Sequence, residues 1–183
     1  MSLVYIDEVG YGSLERAKKA LESISGGAYK AVGAALRRAG NTGKTKAGRF
    51  AAEEYTISKG TFMGNVKIRT SVHKEAGMSI EYAGNVLSLR KYNVKDSRPR
   101  GVHAQVKRNG GGGNLYDAFI VPSKGGQVFE RKGDPRLPIE KKHGPATGQQ
   151  MANKHIVDKM EKTIIEEYEK RIDHEILRLM NGW

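Results

Sequence analysis

From about Gln149 onward, Ile156, Met160, Ile164, Tyr168, Ile172, Ile176, Leu179 and Trp183 recur every three or four residues. That spacing lines one face of a long α-helix. Its steps are mostly of four, slightly more than the helical repeat, so the apolar line drifts around the cylinder. A helix of this length reaches on the order of 45 to 50 Å. Either its Trp183 end packs on another subunit, or it bends and frays near Asn181-Gly182; the spacing leaves both open. Asp158 with Lys162, Glu166 with Lys170 and Glu167 with Arg171 are acid-first i,i+4 pairs on the solvated side.

At the other end, an apolar lead (Leu3 to Ile6) precedes Gly10 and Gly12, and Ser13 offers an N-cap. Leu14, Ala17, Leu21 and Ile24 predict a short amphipathic helix stopped by Gly26-Gly27. Ala28, Ala31, Val32, Ala35, Leu36 and Ala39 give a second helix a face of small residues that permits close packing. Ala47, Phe50, Ala51 and Tyr55 continue the helical period after a kink or tight turn expected at Gly40 to Thr45.

The middle of the chain changes period. Val66, Ile68, Thr70 and Val72 alternate, as do Met78, Ile80 and Tyr82 after a turn at Glu75-Ala76-Gly77, predicting an antiparallel hairpin with one buried face. Val86, Leu87 and Leu89 form a further apolar piece, and Lys91 to Arg100 reads as a polar, basic loop. Val102, Ala104 and Val106 alternate as a strand; a mobile tip at Gly110 to Gly113 then leads to a partner strand, Leu115 to Val121. A basic loop with Pro135, Pro138 and Pro145 separates that strand from the last helix. The expected fold is α+β: an antiparallel sheet of about four to six strands packed by N-terminal helices and a long C-terminal helix. It forms a single domain over 1–183, with a helical lead (1–27), a helix-plus-sheet body (28–148) and the long helix (149–183).

Composition narrows the chemistry. The chain has 183 residues and a formal net charge of +12. Residues 149–183 hold 6 Lys+Arg against 7 Asp+Glu, so the surplus belongs to residues 1–148. Such an excess favours contact with nucleic acid or an acidic protein surface. No cysteine is present, which excludes disulfides, thiolate ligands and cysteine nucleophiles. The histidines are scattered singly, so neither a metal nor another cofactor is expected. No membrane-length apolar run and no secretion signal are seen, and a cytoplasmic protein is expected.

Gly40-Asn41-Thr42-Gly43-Lys44-Thr45 has the ending of a phosphate-binding loop, but that motif needs a glycine where Arg38 stands, and a strand before it. Nucleotide binding is not expected, and Lys44, Lys46 and Arg49 read as a basic helical surface. Asp117, alone in an expected strand, reads as structural. With no Ser/His/Asp grouping, an enzyme is not expected. In the proline-punctuated loop, Arg131, Lys132, Arg136, Lys141 and Lys142 are candidate contacts to an acidic partner or DNA. Arg136, with Leu137 and Ile139 read as core-facing, is instead expected to bridge internal carboxylates and carbonyls.

Several short pieces stand in a particular order: Ala35-Leu36-x-Arg38-Ala39; Thr45 to Arg49; Val102-x-Ala104-x-Val106-Lys107; Ala118-Phe119-Ile120; Val128-Phe129-x-Arg131-x-Gly133; Arg136-Leu137-Pro138-Ile139; Gly144-Pro145; and Arg171-Ile172-Asp173-His174-Glu175-Ile176-x-Arg178-Leu179. In that order, over about residues 28 to 180, the chain resembles the minor tail protein Z family of tailed bacteriophages and prophages. The glycine tract at 110 to 113 and the run Ala146 to Gln150 depart from the family pattern. The resemblance implies a non-enzymatic structural protein used in tail completion and in preparing the tail end for head joining. It would be made in the host bacterial cytoplasm and carried in the virion tail. Its implied partners are other tail or neck proteins and copies of itself, with a hexameric ring plausible by analogy. Ile172, Ile176, Leu179 and Trp183 are the candidate subunit contacts. The rival reading is a basic protein contacting the DNA phosphate backbone, with no membrane partner in either case.

Overall fold

The computed structural model describes residues 2–6, 11–72, 77–97 and 100–182, with side chains from residue 12 onward. The fold is α+β, as the two periodicities predict. The chain divides into two compact units interleaved along the sequence. Unit 1 takes Met1–Ala47, Lys67–Ala83 and Ala152–Trp183; unit 2 takes Gly48–Val66 and Gly84–Met151. The strands do not join one sheet of four to six. Among the described residues they form four small antiparallel groups of two or three.

In unit 1, strand β1 (Ser2–Ile6) pairs antiparallel with β3 (Met78–Gly84), whose other neighbour is β2 (Val66–Val72). As the central strand, β3 buries Met78, Ser79 and Ile80 in succession, whereas β2 starts with strict alternation. Of the turn expected before β3, Glu75 and Ala76 lie outside the described residues. Helix α1 (Tyr11–Ala20), most of α2 (Gly27–Glu54) and helix α5 (Lys154–Met180) complete the unit.

The α5 stripe is buried as the spacing predicts, with Ile156, Ile164, Tyr168 and Ile172 at 0 to 1% exposure. Each such side chain contributes about 1.5–3 kcal/mol of burial. The long helix does not begin at Gln149: α4 (Thr147–Met151) is separate, and Asn153 caps α5 by accepting from His155 N at 3.0 Å. On the solvated side Glu167 pairs with Arg171 at 2.9 Å.

Helix α2 corrects the kink expected at Gly40 to Thr45, since it continues unbroken through that segment. Glycine usually weakens a helix because the unfolded chain is freer. Here close packing compensates. A Cβ on Gly43 would stand 2.6 Å from Ile164 Cγ1, and one on Gly40 would stand 2.8 Å from Met78 Sδ. The two glycines let α2 approach α5 on one side and the sheet on the other. Replacing Gly43 by alanine should therefore destabilise unit 1 by about 1–3 kcal/mol through overpacking, less about 1 kcal/mol returned by helix propensity. Ile164→Val should cost less in the Gly43→Ala background than in the wild-type chain, measured as a positive coupling in urea unfolding.

Unit 2 holds the remaining strands. β4 (Val86–Ser88) pairs with β11 (His143–Ala146). β5 (Asn93–Asp96), β6 (Val102–Gln105) and β7 (Gly113–Leu115) form a second group, and β8 (Ala118–Val121), β9 (Gln127–Arg131) and β10 (Ile139–Lys141) a third. The segment read as one strand from Leu115 to Val121 is thus two, broken at Tyr116-Asp117, so Asp117 sits in a turn. The segment read as a loop from Lys91 to Arg100 contains β5. The proline-punctuated loop supplies β9, β10 and β11, because its prolines fall between or at the edges of paired positions. Helix α3 (Lys59–Met63), capped by Ser58, lies beside the end of α2, where Gly48 leaves room for Met63.

Candidate functional site

Most of the chain's net positive charge belongs to unit 2, because its acidic residues are few. Between Gly48–Val66 and Gly84–Met151 there are 15 Lys+Arg against 7 Asp+Glu, a surplus of +8 out of the total of +12. The expected contact residues Arg131, Lys132, Arg136, Lys141 and Lys142 all lie on the β9–β10 hairpin and its exit.

Pairing of β8 with β9 sets the geometry. Phe119 faces Phe129 across the ladder, and Arg131, two residues past Phe129, falls on the same face. The Arg131 guanidinium consequently rests over the Phe119 ring at 5.0 Å from its centre, while Lys124 lies over Phe129 at 5.2 Å. Arg131 has no carboxylate partner among the described residues. Lys132 makes a long contact of 3.8 Å with Glu140, and Lys142 pairs with Glu130.

Arg136 and Leu137 correct an expectation. Leu137 does not face the core but is 67% exposed, and Arg136 is exposed with no ion-pair partner among the described residues. The hairpin tip at 132–138 projects past the last paired positions, Arg131 and Ile139, so neither side chain reaches the interior. Lys141 is half-buried and also without an ion pair there.

Beside this hairpin is a cleft of about 670 Å³. Tyr116, Phe119, Arg131 and Lys132 line it together with Gly101 and Gly133, and Asp117 and Asp134 add two carboxylates. Tyr116 is 71% exposed. The sequence pointed to the two cations but not to the aromatic groups, whose only local signal was an exposed-type Tyr-Asp pair between two apolar runs. Beneath another part of unit 2, buried Gln150 donates to the Tyr92 hydroxyl, and burial pushes the Tyr92 phenol up to about 12.

The other expected contacts are dispersed. Lys44, Lys46 and Arg49 are all exposed on α2, but Lys44 and Lys46 point about 200° apart and Arg49 is paired with Glu53 at 3.2 Å. Ile172 and Ile176 are buried inside unit 1, which removes them as exposed subunit contacts. The drift of the stripe is taken up by α1: Ser13 Oγ lies 2.6 Å from Tyr168 Oη, and Arg16 is 3.7 Å from Asp173. Leu179 is half-buried, Trp183 lies outside the described residues, and Leu177 and Met180 are the large apolar side chains exposed near that end.

Among the described residues no three His, Asp or Glu side chains converge as metal ligands would, and no helix is long and apolar enough to cross a membrane. No protein-family model, curated protein or solved structure matches the chain.

Proposed function

We propose that this chain is a structural minor tail protein of a tailed bacteriophage or prophage, acting in tail completion and in preparing the tail end for head joining through protein–protein packing. The observation that carries the reading is the surface of unit 2. It combines a +8 charge surplus with large apolar side chains left in solvent at Val86, Tyr116 and Leu137. Exposed side chains of this size, Leu137 next to Arg136 in the chain and Tyr116 beside Arg131 in one cleft, give another subunit apolar and arginine groups to pack against. The ordered sequence pieces resembling the minor tail protein Z family give the same direction. On this reading the chain is non-enzymatic and joins tail or neck proteins, with a ring of copies on the tail as the assembled form.

The test is electron microscopy of particles from the phage or prophage that encodes the chain, with and without it. Loss should leave heads and tails unjoined, and the wild-type chain supplied in trans should restore them. Intact virions in its absence would refute the assignment.

A second reading has its own support. Arg131, Arg136 and Lys141 have no carboxylate partners among the described residues, so unit 2 has cations available for phosphate contacts. Contact with the DNA backbone predicts an affinity that falls with a log–log salt slope of about −0.9 per phosphate neutralised.

A further inference from the structure

We infer that the cleft between the Tyr116–Asp117 turn and the β9–β10 hairpin binds single-stranded nucleic acid, taking an unpaired base that carries an exocyclic amino group. This deepens the second reading above, on which it rests, by naming the strand state and the base.

The cleft supplies the three kinds of group such a ligand needs. The first is stacking surface: Tyr116 is 71% exposed and lines the cleft, as does Arg131, whose guanidinium lies over the Phe119 ring at 5.0 Å from its centre. Aromatic rings and guanidinium planes stack on the faces of bases, which a duplex hides and a single strand displays. The second is positive charge. Arg131 has no carboxylate partner among the described residues, and Lys132 is held only by the 3.8 Å contact to Glu140, so both are available to flanking phosphates.

The third is a pair of acceptors. Asp117 and Asp134 line the same cleft, are exposed, and make no ion pair among the described residues. Their presence argues against a simple anion site, because two carboxylates offset the two cations. A carboxylate facing a base edge accepts from both hydrogens of an exocyclic amino group, which cytosine carries and thymine lacks, thymine offering only its ring N3–H. At about 670 Å³ the cleft falls within the range of small-ligand sites.

The experiment is fluorescence anisotropy of the full chain at fixed salt with three labelled probes of equal length: a cytidine single strand, a thymidine single strand and a mixed-sequence duplex. The cytidine strand should bind best, at least about fivefold tighter than the thymidine strand. Tyr116→Ala should weaken it by a similar factor, the lower end of what one stacked base contributes. Because Tyr116 is exposed, this variant should keep the wild-type melting temperature. Asp117→Asn combined with Asp134→Asn should narrow the gap between the cytidine and thymidine strands. Duplex binding with a steep salt dependence and no single-strand preference would leave the backbone-contact reading standing and overturn this one. Equal binding of all probes by wild type and Tyr116→Ala would also overturn it, as would occupancy of the cleft by an acidic peptide with no oligonucleotide bound.

Discussion

Replacing Gly101 by alanine is expected to cost unit 2 about 3–5 kcal/mol, combining left-handed backbone strain with overpacking. Gly101 closes the turn between β5 and β6, where Ser97 N donates to Gly101 O at 2.9 Å. Its φ is +78°, a conformation that side chains with a Cβ rarely adopt. Space is the larger obstacle. A Cβ there would stand 2.0 Å from Leu115 O and 2.6 Å from Tyr116 O, both backbone atoms at the end of β7. A flexible side chain could move aside; a carbonyl engaged beside the β6–β7 ladder cannot do so without shifting the strand.

Urea unfolding gives the measurement, as a fall in midpoint with little change in slope. Gly60→Ala is the control, since a Cβ in α3 meets nothing within 4 Å and should be neutral or stabilising by up to about 1 kcal/mol. Equal effects at the two positions would refute the account. Gly101 and Tyr116 also border the same cleft, so a displaced β7 end should weaken any ligand bound there.

What the sequence made legible follows from range. The α5 stripe could be read because one helix face repeats locally, and the β2 and β3 alternations for the same reason. β5 escaped notice because Asn93-Val94-Lys95-Asp96 has no apolar alternation. It is a strand through its antiparallel pairing with β6, and its side chains are exposed or half-exposed. Gly43 misled because a glycine in a helical pattern signals a break, and only the position of Ile164, far along the chain, shows why it is tolerated. Asn153, a residue type that favours N-caps, is the actual start signal of α5, and the apolar period from Gln149 onward gives no hint of it.

The candidate site divides in the same way. Arg131 and Lys132 stand out as charges in a basic run, but Arg131 comes to lie over Phe119 because Phe119 and Phe129 are cross-strand partners. Ile172 and Ile176 looked like surplus apolar surface because the helix was considered without α1.

The Arg38–Glu175 pair should be worth most when only one partner is removed. Glu175 lies on α5 with its side chain at 0% exposure, 2.6 Å from Arg38 Nη1 and 2.8 Å from Arg178 Nε. The Arg178 contact is a hydrogen bond, whereas Oε1 beside Arg38 lacks hydrogen-bond alignment, so the Arg38 contribution is chiefly charge on charge. A buried carboxylate deprived of a counter-ion keeps its desolvation cost and loses the compensating attraction. Arg38→Met should therefore destabilise unit 1 by about 2–3 kcal/mol, below the full cost of a broken buried pair because Arg38 is 49% exposed and Arg178 remains. Glu175→Leu leaves two partly exposed arginines that water can solvate, and should cost less. In the double variant no buried charge is left unpaired. It should therefore recover most of the Arg38→Met loss, giving a coupling of about 1–2 kcal/mol in a double-mutant cycle followed by urea unfolding. Strictly additive losses would mean that Arg178 alone compensates the carboxylate and that Arg38 is a surface charge resting near it.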